Sequence, residues 1–91
     1  MKSFYYKLAI TASTTTASYY LPPLRTITLV NSGGNDITFE FDNAISANSA
    51  KLLAGQSITL PTGGGFLDNL RVQADSGTTT VYVVGLRQYR D

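Results

Sequence analysis

Asp36, Glu40 and Asp42 form the one cluster in this chain that could suggest catalysis. Glu40 and Asp42 are two residues apart, which on a strand puts them on one face with Cβ atoms about 7 Å apart. Glycosidase carboxyl groups work at about 5–9.5 Å, one of them with a raised pKa. Raising it takes an apolar pocket, and nothing near these acids in the sequence supplies one. A solvated strand face opposite Phe39 and Phe41 accounts for both more simply. Calcium is the second candidate chemistry, since it takes oxygen ligands from loops rich in Asp and Asn. Asn31, Asn35 and Asp36 lie in such a loop, but with too few carboxylates and no EF-hand register. Pro61-Thr62-Gly63-Gly64-Gly65 resembles a phosphate cradle only in its glycines. A P-loop continues with Lys and then Ser or Thr, whereas Phe66-Leu67 follows here.

Other chemistries lack their residues. The chain of 91 residues has no His and no Cys, so the usual general base, zinc ligands, disulfides and thiolate sites are absent. Lys and Arg number 7 against 6 Asp and Glu, a net charge of +1 that gives little attraction for nucleic acid or anionic lipid. No cofactor, no nucleic acid and no membrane are therefore expected, and the protein is expected not to be an enzyme. No apolar run approaches the roughly 20 residues of a membrane span. Lys7 interrupts the apolar stretch near the N-terminus, so that segment reads as a strand rather than a secretory signal.

The elements that would position a site are strands. The polarity is almost all uncharged, with 12 Thr, 8 Ser and 5 Asn, residues that favour strands and turns. Period two dominates. Phe4, Tyr6, Leu8 and Ile10 share one face of a strand over Phe4–Ala12, and Ile27 and Leu29 share one over Arg25–Asn31. Asn31 to Asp36 is the strongest turn signal, and it predicts a hairpin to a strand over Ile37–Asp42. Short strands follow at Lys51–Ala54, Ser57–Leu60, Leu70–Ala74 and Thr79–Arg87. In the last, Val81 and Val83 occupy one face and Tyr82, Val84 and Leu86 the other, so both faces need cover. Thr14 to Ser18 lacks an apolar face and reads as a linker, ended by the Pro22-Pro23 corner. The expectation is a single small antiparallel β-sandwich, all-β and jelly-roll-like, with seven or eight strands. It divides into an N-terminal strand and extended arm over 1–23 and a sandwich domain over 24–91.

Tyrosines mark the candidate interface. Tyr5-Tyr6 and Tyr19-Tyr20 are adjacent pairs, and neighbours on a strand point to opposite faces. One member of each pair is left for another chain. With Arg25, Arg87, Tyr89 and Arg90, these are the residue types that anchor protein interfaces. Tyr19, Tyr20 and Asn43 also leave room for a carbohydrate-binding role.

From Ile27 to Leu86 the order of features resembles small virion proteins of tailed bacteriophages. The matching parts are Leu29-Val30-Asn31-Ser32-Gly33-Gly34-Asn35-Asp36-Ile37 and Leu53-Ala54-Gly55-Gln56-Ser57-Ile58-Thr59-Leu60. Leu70-Arg71-Val72-Gln73-Ala74-Asp75-Ser76-Gly77-Thr78 and Val81-Tyr82-Val83-Val84-Gly85 complete them. The resemblance implies a capsid decoration (cement) protein, or a small tail or adaptor component, located in the virion. The implied partners are the major capsid protein or other virion subunits. A homo-oligomer is expected, a trimer by preference, because shells offer threefold positions. It carries over no catalytic residue.

Overall fold

The computed structural model describes residues 5–61 and 69–87, leaving the side chains of Tyr5 and Arg87 outside the description. Eight strands form: β1 (Tyr5–Ala12), β2 (Ala17–Tyr20), β3 (Leu24–Asn31), β4 (Ile37–Phe41), β5 (Ala50–Leu52), β6 (Ser57–Pro61), β7 (Asn69–Ala74) and β8 (Thr79–Arg87). They build two four-stranded antiparallel sheets, ordered β1-β8-β3-β6 and β2-β7-β4-β5. Ile10, Ile27, Leu29, Val81 and Val83 from the first sheet meet Ile37, Phe39, Leu70, Val72 and Ala74 from the second, and all are buried. The period-two faces assigned from sequence are the faces the fold buries.

Two expectations change. The predicted hairpin across Asn31–Asp36 is a crossing between sheets. β3 pairs with β8 and β6, whereas β4 pairs with β7 and β5. The N-terminal arm, over residues 5–21, is built into the sandwich. β1 pairs with β8 along its whole length and β2 pairs with β7, while Ile10, Ala12 and Leu21 join the core. β2 escapes a reading by periodicity because only four residues pair and only Ala17 and Tyr19 turn inward.

Asn31 explains the crossing. Its side chain is fully buried, and it satisfies several backbone groups at once. Nδ2 donates to the carbonyls of Asn35 (2.8 Å) and Leu52 (3.1 Å). Oδ1 accepts from the Thr79 hydroxyl (2.8 Å) and the Gly33 amide (3.4 Å). Its own backbone bonds Gln56 and Gly55. A Cβ at Gly33 would overlap the Thr79 hydroxyl, so only glycine lets the turn lie this close to β8. Ser32 donates from its amide to the Thr80 carbonyl, which turns the chain away from a hairpin.

Asn31→Leu is expected to take this partner from two carbonyls, a hydroxyl and an amide, at about 1–3 kcal/mol per buried group left unpaired, and to lower Tm by more than about 10 °C. Asn31→Asp places a carboxylate against two carbonyl oxygens. Burial raises the pKa of such a group, so its penalty is full at neutral pH and shrinks as falling pH protonates it. Thermal melts of the wild type and both variants at pH 7 and pH 4 check this. Equal Asp and wild-type stability at pH 7 would contradict it.

Candidate interaction surface

Strand direction gathers the described members of the predicted interface at one end of the sandwich. β1 starts there, β2 returns to it, β3 leaves from it and β8 ends at it. Tyr5 therefore pairs with Leu86, Leu24 with Arg87, and Tyr20 with Asn69. Alternation divides the Tyr19-Tyr20 pair. Tyr6 and Tyr19 pack half-buried on the core, whereas Tyr20 is 84% exposed. Arg25 is exposed where the register slips between Leu24 and Thr26. Gly85 permits that irregularity, since a Cβ there would press Leu24 and the Thr26 carbonyl at 2.9 Å. Tyr89, Arg90 and the Gly63–Gly65 loop lie outside the described residues, as do the side chains of Tyr5 and Arg87.

The outer face of the first sheet is apolar for its position. Tyr82 is 45% and Leu86 42% exposed, with Val84 between them on β8. Register sets Ala9 beside Tyr82 on one flank and Val30 on the other. Lys7, Ala9, Tyr82 and Val84 line an open depression of about 300 Å³. The β8 residues were legible from their two-sided pattern. Ala9 and Val30 were not, because their place in this strip depends on which strands flank β8.

The outer face of the second sheet is polar and self-satisfied at its far end. Lys51 Nζ donates to Asp75 Oδ2 (2.7 Å) and to Thr38 Oγ1 (3.0 Å), and Thr38 Oγ1 donates to Asp75 Oδ1 (2.8 Å). The Lys51 hydrogen bond first, and the Thr38 hydroxyl second, hold the Asp75 carboxyl below its ordinary value. Glu40 accepts from the Ser49 hydroxyl (2.9 Å). Asp42 sits at φ 64°, a left-handed conformation that Asp tolerates better than most residues. Its Oδ1 accepts from the Asn69 amide (2.8 Å), which closes the β4–β7 ladder. The two acids thus bind the fold's own hydroxyl and amide groups. In the loop weighed for calcium, Asn35 Nδ2 donates to the Thr78 carbonyl and Asp36 Oδ1 accepts from the Ala54 amide. Arg71 faces Glu40 across the β4–β7 ladder, and its Nη1 is buried without a hydrogen-bond partner. Among the described residues no group of three His, Cys, Asp or Glu is placed to hold a metal.

No family model matches the chain, and no curated protein matches it in sequence. Solved structures do match in fold. A cupin superfamily protein from Desulfitobacterium hafniense aligns over 97% of this chain and 72% of its own, at TM-score 0.62 and 10% identity. The cupin_2 domain of an XRE family transcriptional regulator from Enterobacter cloacae aligns over 96% and 84%, at 0.61 and 11%. A de novo designed double-stranded β-helix aligns over 91% and 97%, at 0.53 and 13%. The architecture is therefore the jelly roll of cupins and double-stranded β-helices. At these identities the likeness is one of fold alone.

The Lys51–Asp75 pair is largely exposed and is expected to contribute less than about 1 kcal/mol. Because the folded state lowers the Asp75 pKa, that contribution is present above the ordinary value of 3.8 and fades as pH falls through the lowered one. Asp75→Asn should therefore melt slightly below the wild type at pH 7, with the gap narrowing as pH falls below 3.8. A gap that persisted in acid would refute this account.

Proposed function

We propose that this chain is a non-enzymatic structural subunit that docks on a larger protein surface: a capsid decoration protein of a tailed bacteriophage, bound to the major capsid protein in the virion. The outer face of the first sheet carries the reading. It presents Tyr82 and Leu86, with Val84 and Ala9 beside them, on a rigid sheet with one lysine nearby. Apolar side chains on a flat sheet gain by transfer from water to a partner, and aromatic residues are the usual anchors of such contacts. Among the described residues the inward positions are filled mostly by aliphatic side chains with Phe39 among them, so the exposed apolar residues of this sheet are left for a contact outside the core. Low affinity per copy is multiplied where several contacts belong to one oligomer. A tail or adaptor component would use the same face on a different neighbour.

Co-sedimentation with mature shells of the encoding phage tests the reading. Wild-type protein is expected to pellet with shells and raise their resistance to heat. Leu86→Glu, at a position already 42% exposed, should keep its own melting temperature and bind at least about tenfold more weakly. Wild-type protein that stays in the supernatant and leaves shell melting unchanged would end the proposal.

One observation favours a second reading, a carbohydrate-binding module. Tyr20 is 84% exposed and stands directly across from Asn69, an aromatic ring beside an amide on a rigid sheet. Glycan-array binding that Tyr20→Ala abolishes, with shell binding absent, would favour this reading over the first.

A further inference from the structure

We propose that β1 is the edge through which two copies of this chain pair into one continuous eight-stranded sheet. Among the described residues, β1, β6, β2 and β5 are the outermost strands of the two sheets. An open edge offers unpaired N–H and C=O groups to another chain, and proteins blunt such edges with brevity, charge or proline. β5 has three residues. β2 has four and leads into Pro22-Pro23, and β6 ends on Pro61. β1 runs for eight residues with no proline, and Lys7 is its one charge.

The β1 sequence is compatible with its own copy. An antiparallel pair about a two-fold axis normal to the sheet sets outward-facing residues against outward-facing residues. Lys7, Ala9 and Thr11 of each copy then confront one another. A register with Lys7 opposite Lys7 is repelled, since like charges directly opposite destabilise a pair. The adjacent registers place Lys7 opposite Ala9 or opposite Thr11, with no charge facing it. Each pairs about seven residues of each strand and makes about seven backbone hydrogen bonds. On the inner side, the half-buried Tyr6 and Leu8 gain cover from the same strand of the second copy. On the outer side, the depression lined by Lys7, Ala9, Tyr82 and Val84 runs on into its symmetry mate. The contact is isologous and closes as a dimer. Threefold packing on a shell would need a separate surface.

Sedimentation equilibrium of the purified chain tests this without any shell, so its outcome is independent of the docking role proposed above. Wild-type protein is expected to be a concentration-dependent dimer. Ala9→Lys, at an exposed position, sets a new ammonium against Lys7 of the other copy or against its own symmetry mate, according to register. Either arrangement occurs on both sides of the axis or at its centre, and the dimer should weaken about tenfold. Ser57→Lys adds the same charge to β6, at the opposite edge of the same sheet, and should leave the dimer unchanged. A wild-type monomer at several hundred micromolar would overturn the proposal. So would a dimer indifferent to Ala9→Lys, or one weakened equally by both variants.

Discussion

The structure depends on one buried amide. Asn31 ends β3 at the point where the chain leaves one sheet for the other, and its side chain bonds groups of the turn beyond those its own backbone reaches. Its side chain supplies two donors to the carbonyls of Asn35 and Leu52 and accepts from Thr79 and Gly33. Aspartate has no donors to give, and leucine has no polar atoms at all. Since an unpaired buried polar group costs more than a formed hydrogen bond gains, the network acts chiefly by excluding alternatives.

That constraint sets the topology. Apart from β4 to β5, each strand passes the chain to the other sheet, so nearly every strand pairs with a partner distant in sequence. Alternation identifies which residues of a strand face inward, because that depends only on the pleat. It does not identify the neighbouring strand, because that depends on where each turn sends the chain. Ile27, Leu29, Ile37, Phe39, Leu70 and Val72 were therefore legible as core, while the turn after Asn31 was misread as a hairpin. The same limit hid β2, whose pairing with β7 rests on backbone bonds more than on an apolar stripe. A designed double-stranded β-helix shares the architecture at 13% identity. Pattern and turn geometry, rather than particular core residues, suffice to specify it.

Much of the candidate surface was legible for a related reason. Apolar residues on both faces of 79–87 required two covers, and the core supplies one. Tyr20 was marked by the adjacent-tyrosine rule, which the alternation of β2 then resolved by turning Tyr19 inward. Arg25 gave no sign of standing at an irregularity, because the slip against β8 arises from the crowding of Leu24 over Gly85. Ala9 and Val30 show the general case. Neither is unusual in its own strand, and they form an apolar strip only once β1 and β3 flank β8.

The two ends of the sandwich differ in kind, and the difference bears on docking. At the Asn31 end, turns from three parts of the chain are joined by side chain to backbone bonds: Asn31 to Leu52, Asn35 to Thr78, Asp36 to Ala54. The opposite end carries the exposed Tyr20, Leu86 and Arg25. A flat apolar surface binds a partner well only if its residues keep their relative positions, since ordering them on contact would consume part of the gain. β8 runs from one end to the other, anchored at Thr79 by the Asn31 amide and ending at Leu86 and Arg87. A register fixed at the buried amide is thereby transmitted along a single strand to the exposed Tyr82 and Leu86 side chains.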